Sequence, residues 1–261
     1  MHATALVIIA HGSRDPRHAA TVSELSTRVR ALRPGLRVEV GYLDFCAPSV
    51  PQVLSRLAAD GVRDVVAVPL LLTRAFHAKA DIPAVLYEAS AAWPQLTVRQ
   101  AAVLGPSTLL IDALERRLAE AGIRPGDRSS TGVVLASAGS SDPEAIAVIA
   151  EIAREWRHTG WCAVRPAFAS AAAPLTCVPR TEDAVRALRA QGVRRVAVAP
   201  YVIAPGRLPD RIVCGAEQAG ADVLADVLGP APEVAALLLR RYEQKREARA
   251  VRTSLGVPLS A

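Results

Sequence analysis

Aromatic residues make up only 4% of this 261-residue chain, too few for the stacking surface on which single-stranded nucleic acid is held. Lysine is almost missing: Lys79 and Lys245 stand alone, and the other basic residues are arginines. Clusters such as Arg194-Arg195 and Arg240-Arg241 read as solvated faces, although the net charge of +6 also suits a polycarboxylate or polyphosphate small molecule. The four cysteines, Cys46, Cys162, Cys177 and Cys214, form no C-x-x-C pair. That spacing suits neither a zinc site nor a disulfide framework. No apolar run nears the ~20 residues of a membrane span. The first residues lack a basic stretch, and Leu6 to Ala10 is shorter than the ~7–15-residue core of a secretory leader. A soluble, cytoplasmic protein with no nucleic-acid or membrane partner is expected. Phosphate-loop, G-x-G-x-x-G, G-x-S-x-G and H-E-x-x-H motifs are all missing, so nucleotide, dinucleotide and serine-hydrolase chemistry lose their usual support.

What remains is a chain with 51% apolar and 21% charged residues, able to bury a sizeable core. Short runs such as Ala5-Leu6-Val7-Ile8-Ile9-Ala10 and Asp64 to Leu72 read as strands covered on both faces. They alternate with amphipathic helices over about Ala19–Leu32, Val50–Ala59 and Ser107–Ala121. Asp81 is placed to cap a helix entering through Pro83. Regular β-α-β alternation predicts an α/β fold with small parallel sheets flanked by helices.

The pattern is written twice. His11-Gly12-Ser13-Arg14-Asp15-Pro16 returns as Ala138-Gly139-Ser140-Ser141-Asp142-Pro143. Tyr42-Leu43-Asp44 returns as Phe168-Ala169-Ser170, and Gly61 to Pro69 as Gly192 to Pro200. Two similar lobes are expected, 1–122 and 132–261, joined by the Pro- and Ser-containing stretch between them and facing each other across a cleft. The turn-forming glycines and prolines survive in both copies. His11, Asp44 and His77 survive only in the first, opposite Ala138, Ser170 and Leu208. Groups needed to hold a turn should be needed in both copies, so these three are the candidates for chemistry. Asp15 fails that test against Asp142 and reads as a capping residue. His2, His18 and His158 read as ordinary histidines.

His11 follows the first strand, Asp44 closes the second, and His77 lies in the loop after the third, so all three belong to one sheet edge. Ligands of open α/β sheets bind there. Two imidazoles and a carboxylate suit a borderline divalent ion such as Fe, Co, Ni or Zn, and either imidazole can serve as a base near neutrality. The backbone N–H groups of Gly12 and Ser13 are placed to receive an anion. A histidine phosphatase is disfavoured, because Ala10 stands where that chemistry wants an arginine.

A strand ending in His11-Gly12-Ser13-Arg14, then Tyr42-Leu43-Asp44 with Ala47-Pro48-Ser49 behind, then Pro69-Leu70-Leu71-Leu72-Thr73-Arg74-Ala75-Phe76-His77 with Asp81-Ile82-Pro83, resembles the class II chelatases. The similarity is to the long, internally duplicated form of the sirohydrochlorin chelatases, and runs from about Leu6 to Tyr242. The resemblance implies insertion of Fe2+ or Co2+ into sirohydrochlorin, in sirohaem or cobalamin biosynthesis, without an organic cofactor. It implies His11 as metal ligand and proton acceptor, and His77 as second ligand. Leu72, Thr73, Arg74, Ala75 and Phe76 correspond to the loop against the macrocycle. Asp44 stands where many members carry glutamate; its shorter side chain suits orienting a histidine or accepting a pyrrole proton. Arg14, Arg74 and Arg207 are the candidates for the substrate's carboxylates. The competing expectation is a non-enzymatic carrier of tetrapyrrole or metal using the same residues. Monomer and homodimer are both compatible with the chain.

Overall fold

The computed structural model describes residues 4–74, 77–170 and 178–254, with the side chains of His77, Ala78 and 249–254 left out. It contains two four-stranded parallel sheets with the same strand order. In the first, β2 (Val38–Tyr42), β1 (Ala5–Ala10), β3 (Asp64–Pro69) and β4 (Thr97–Gln100) run as β2-β1-β3-β4. In the second, β5 (Thr131–Ser137), β6 (Ala163–Phe168), β7 (Arg195–Tyr201) and β8 (Val223–Leu224) run as β6-β5-β7-β8. Register is equivalent as well: Ile8 pairs with Val40 and Val68, and Val133 with Val164 and Ala197. The first strand is central in each sheet, with its two neighbours reached by connections that leave in opposite directions. Such a sheet has its switch point between the first and third strands, where the carboxyl ends open a crevice.

All six residues of β1 are buried. Side chains alternate along a strand, so Ala5, Val7 and Ile9 join one core with Val53, Leu54 and Leu57 of α2 (Val50–Ala59) and Ile82 and Leu86 of α3 (Ile82–Ala92). Leu6 and Ile8 face the opposite layer, equally buried. Each such aliphatic side chain contributes about 1.5–3 kcal/mol on burial. The second sheet builds its core alike, from Val134, Val196 and Val198 with Val185 and Leu188 of α6 (Thr181–Ala190) and Ile212 of α7 (Arg207–Gln218).

The compact units do not coincide with the two repeats. One comprises 1–105 with 235–261, and the other 106–234. Helix α4 (Thr108–Glu120) closes the first repeat in sequence but packs on β7 of the second sheet. Its Glu115 accepts hydrogen bonds from the indoles of Trp156 (2.7 Å) and Trp161 (3.0 Å). Conversely, α8 (Pro232–Ser254) ends the second repeat yet is stitched to the first unit. Tyr242 Oη donates to the Thr4 carbonyl at 2.8 Å, and Arg241 donates to the carbonyls of Val103 and Leu104 at 2.9 and 2.8 Å. Arg241 is therefore a partly buried tie between segments and not a solvated charge. The stretch expected to be a linker holds a 3-10 turn, Pro125–Ser130. Among the described residues no helix is long and apolar enough to cross a membrane.

Candidate metal and substrate site

His11 leaves the central strand and runs into the sharp turn before α1 (Pro16–Leu32). Gly12 makes that turn possible. Its φ is +94°, and a Cβ there would lie 1.8 Å from the Asp44 carbonyl oxygen. Any side chain would push apart the two strand ends that carry the candidate groups. The ends are tied by backbone bonds: Leu43 N–H donates to the Ala10 carbonyl (3.0 Å) and Asp44 N–H to the His11 carbonyl (2.9 Å). His11 and Asp44 thus sit on adjoining strand ends held two bonds deep.

The second unit repeats this arrangement. Gly139 has φ +92°, with a would-be Cβ 2.0 Å from the Ser170 carbonyl oxygen. Ala169 and Ser170 donate to the carbonyls of Ser137 and Ala138 at 2.8 and 3.1 Å. The backbone is kept where the imidazole and carboxylate are not.

Phe45 adds a feature that the sequence reading passed over. The residue is 51% exposed and its backbone sits at φ +58°. The His11 ring meets it edge-on at 6.3 Å between centroids, and the Arg14 guanidinium lies 5.1 Å over it. Asp44 turns one carboxylate oxygen back to accept the Phe45 N–H at 2.8 Å. The exposed Asp44 side chain therefore helps to set the turn that presents the ring. Cys46 closes the loop against Ser13: its thiol donates to the Ser13 carbonyl at 3.1 Å, and the Ser13 N–H points at its sulfur at 3.5 Å. That N–H is therefore engaged, which removes half of the anion cradle expected from Gly12 and Ser13. Asp15 caps α1, accepting the Arg17 N–H at 2.9 Å.

His18, read from sequence as an ordinary histidine, lies half-buried on the first turn of α1, its ring 6.4 Å from that of Tyr42. Burial first, and the positive charge of a protonated His11 second, hold its pKa below the usual imidazole value. Phe45 and His18 fall opposite Ala171 and Ala145 in the repeat, so the comparison that singled out His11 carried their signal as well.

The structure brings His11, Gly12, Ser13, Arg14 and Asp44 together. Leu72 and Thr73 follow β3 as half-buried residues, and Arg74 is exposed. Ala75 and Phe76 lie outside the described residues. His77 opens a π-helical turn, His77–Asp81, after β3, with its side chain outside the described residues. Asp81 takes helical angles in that turn and makes no side-chain cap to α3. Arg207 belongs to the other compact unit, exposed at the first position of α7. Among the described residues no three His, Cys, Asp or Glu side chains form a metal cluster.

A family model described as CbiX matches the chain twice, over residues 5–121 and 132–245. The chain is 29% identical over 209 residues to the sirohydrochlorin cobaltochelatase of Priestia megaterium, covering 79% of this chain and 66% of that protein. It is 27% identical over 230 residues to the sirohydrochlorin ferrochelatase of the same organism, covering 86% of this chain and 84% of that one. Its fold is similar to that of SirB from Bacillus subtilis, solved with Fe3+, at a TM-score of 0.80 and 22% identity over 93% of this chain and 95% of that one.

Proposed function

The chain belongs to the CbiX family, and from that premise we propose that it is a sirohydrochlorin chelatase, a lyase-class enzyme that inserts Fe2+ or Co2+ and releases two protons. What carries this reading at the site is the pair of matched strand ends. The same two backbone bonds hold His11 beside Asp44 in one unit and Ala138 beside Ser170 in the other.

Insertion requires a divalent ion to shed water, meet four nitrogens in a plane, and displace two pyrrole protons. His11 binds the ion through its imidazole and takes a proton as metal–nitrogen bonds form; imidazole is both a ligand for borderline divalent ions and a general base. His77, from the turn after β3, is the second ligand. Asp44 stabilises the imidazolium that results or accepts a pyrrole proton itself. Two imidazoles leave coordination positions open, as delivery of an ion demands. Phe45 offers a flat apolar face for the macrocycle, with the Arg14 guanidinium over it to meet a peripheral carboxylate. By the family resemblance, the segment Leu72, Thr73, Arg74, Ala75 and Phe76 that follows β3 is assigned to the macrocycle.

The test is an anaerobic absorbance assay of sirohydrochlorin with Fe2+, Co2+ and Ni2+. The wild-type chain accelerates metallation by at least one of them. His11→Ala and His77→Ala each lose about a hundredfold or more of the rate while keeping the far-UV circular dichroism of the parent. Asp44→Ala is impaired and Asp44→Glu recovers most of the rate. A spectrum that shifts on mixing with no faster metallation marks a carrier and overturns the enzymatic reading.

A further inference from the structure

The loops that follow β1 and β2 meet at a sulfur. Cys46 is half-buried, and its thiol engages both backbone groups of one residue across the gap. It donates to the Ser13 carbonyl at 3.1 Å and faces the Ser13 N–H at 3.5 Å. The Ser13 hydroxyl works elsewhere, accepting the Asp15 N–H at 3.1 Å. That side-chain bond recurs in the second unit, where Ser140 Oγ accepts the Asp142 N–H at 3.0 Å. The sulfur does not recur: Asp44-Phe45-Cys46 falls opposite Ser170-Ala171-Ala172, and an alanine side chain has neither donor nor acceptor. The bond that shapes the turn is kept in both copies, whereas the cysteine is lost together with His11 and Asp44.

Phe45 stands between Asp44 and Cys46 at φ +58°. The Cys46 N–H donates to the Asp44 carbonyl at 2.7 Å, closing a three-residue γ-turn of the positive-φ kind, which is rare and strained. Strain of this sort persists only where the surroundings hold it. On the near side Asp44 Oδ1 accepts the Phe45 N–H at 2.8 Å. On the far side the Cys46 thiol ties the turn to Ser13. Ser13 adjoins Arg14, whose guanidinium lies 5.1 Å over the Phe45 ring, and is two residues from His11, whose ring meets Phe45 at 6.3 Å. One sulfur thus joins the turn that presents Phe45 to the loop that carries both of its ring partners.

We propose that Cys46 is a positioning residue for the macrocycle, holding Phe45 in its left-handed turn beneath Arg14. It acts through Phe45 and needs no contact with the ion or the tetrapyrrole. The proposal rests on the chelatase reading, and its test separates the two.

Full-length protein is assayed anaerobically with sirohydrochlorin and Co2+. Cys46→Ala removes both sulfur bonds, and Cys46→Val removes them while keeping bulk, so either folded variant suffices. KM for sirohydrochlorin is expected to rise about fivefold to tenfold, the scale of one displaced aromatic contact, with kcat and the KM for Co2+ within about twofold of the parent. Cys46→Ser, which retains a donor and an acceptor, recovers most of the loss. In a Phe45→Asn background Cys46→Ala adds nothing, because the residue it acts through is already gone; a cysteine that only stabilised the fold would add its own loss there. A second readout needs neither tetrapyrrole nor metal. The Arg14 side-chain NMR signals, moved upfield by the ring beneath them, return to ordinary arginine positions in Cys46→Ala or Cys46→Val and stay put in Cys46→Ser. A parent that fails to metallate removes the chelatase reading, and the Arg14 signals still decide the tie. A parental KM in a folded Cys46→Ala or Cys46→Val overturns the proposal, as does a loss undiminished in the Phe45→Asn background or an unmoved Arg14 spectrum.

Discussion

Phe45 holds its backbone at φ +58°, a conformation that costs a residue with a Cβ about 1–2 kcal/mol. Half of the residue's surface is exposed, so burial offsets little of that cost. A bulky residue kept in the left-handed region at a sheet's carboxyl edge suggests a role outside the fold. Asparagine tolerates this region well. Phe45→Asn is therefore expected to match or exceed the parent in urea stability, by up to about 1 kcal/mol. The same variant should raise KM for sirohydrochlorin roughly tenfold, the scale of one lost aromatic contact, with a smaller change in kcat. Phe45→Tyr should behave as the parent. An unchanged KM in Phe45→Asn, measured beside its urea midpoint, removes the ring from the site. At this scale the repeat made His11 and Asp44 legible against Ala138 and Ser170. The repeat also set Phe45 against Ala171, but a phenylalanine reads as core until the turn that exposes it is seen.

Elements with a long apolar signal were legible, and those without one were not. Strands β1, β3 and β5 appear as unbroken runs because both faces are covered. Helix α1 starts three residues before its expected boundary, since Pro16 occupies the first position behind the Asp15 cap. Helix α7 was missed. Pro209 lies inside it, yet in the first turn, where the lost N–H would have had no acceptor. The two-residue β8 is too short for any periodicity. It is held in place by Asp222, whose carboxylate accepts the Val196 N–H at 2.6 Å and pairs with Arg189 at 2.7 Å. Burial alone would raise the Asp222 pKa, but those bonds outweigh it and hold the value below the ordinary 3.8. With the folded pKa below the unfolded one, the unfolded chain binds more protons in the acid window, so stability there rises with pH. The Asp222 contribution is complete above the ordinary carboxylate value and is lost as pH falls through the lower folded one. Asp222→Asn should accordingly be less stable than the parent near neutrality, and the gap between the two urea midpoints should narrow as pH falls below the ordinary carboxylate value. A gap that persists unchanged into acid contradicts the assignment.

At the scale of the whole chain, the duplication in sequence and the division into compact units cut at different places. Periodicity shows where a repeat ends, but not which sheet its last helix will cover; that depends on contacts far apart in sequence. Glu115 on α4 answers two indoles and, at 2.7 Å, the Arg128 guanidinium, all within the unit 106–234. Leu110, Leu114 and Leu118 on the same helix are fully buried. A fragment covering 132–261 lacks all of this. It loses three leucines at about 1.5–3 kcal/mol each, leaves two buried indole N–H groups without acceptors, and carries α8 with the face that belongs to the other unit. Those losses together match the ~5–15 kcal/mol that holds a typical domain folded. Residues 106–234 expressed alone should therefore show a cooperative urea transition and dispersed amide resonances. Residues 132–261, nearly the same length and a complete repeat in sequence, should show neither. If 132–261 folds as cooperatively as 106–234, the repeat is the folding unit and the exchange of α4 and α8 adds nothing to it.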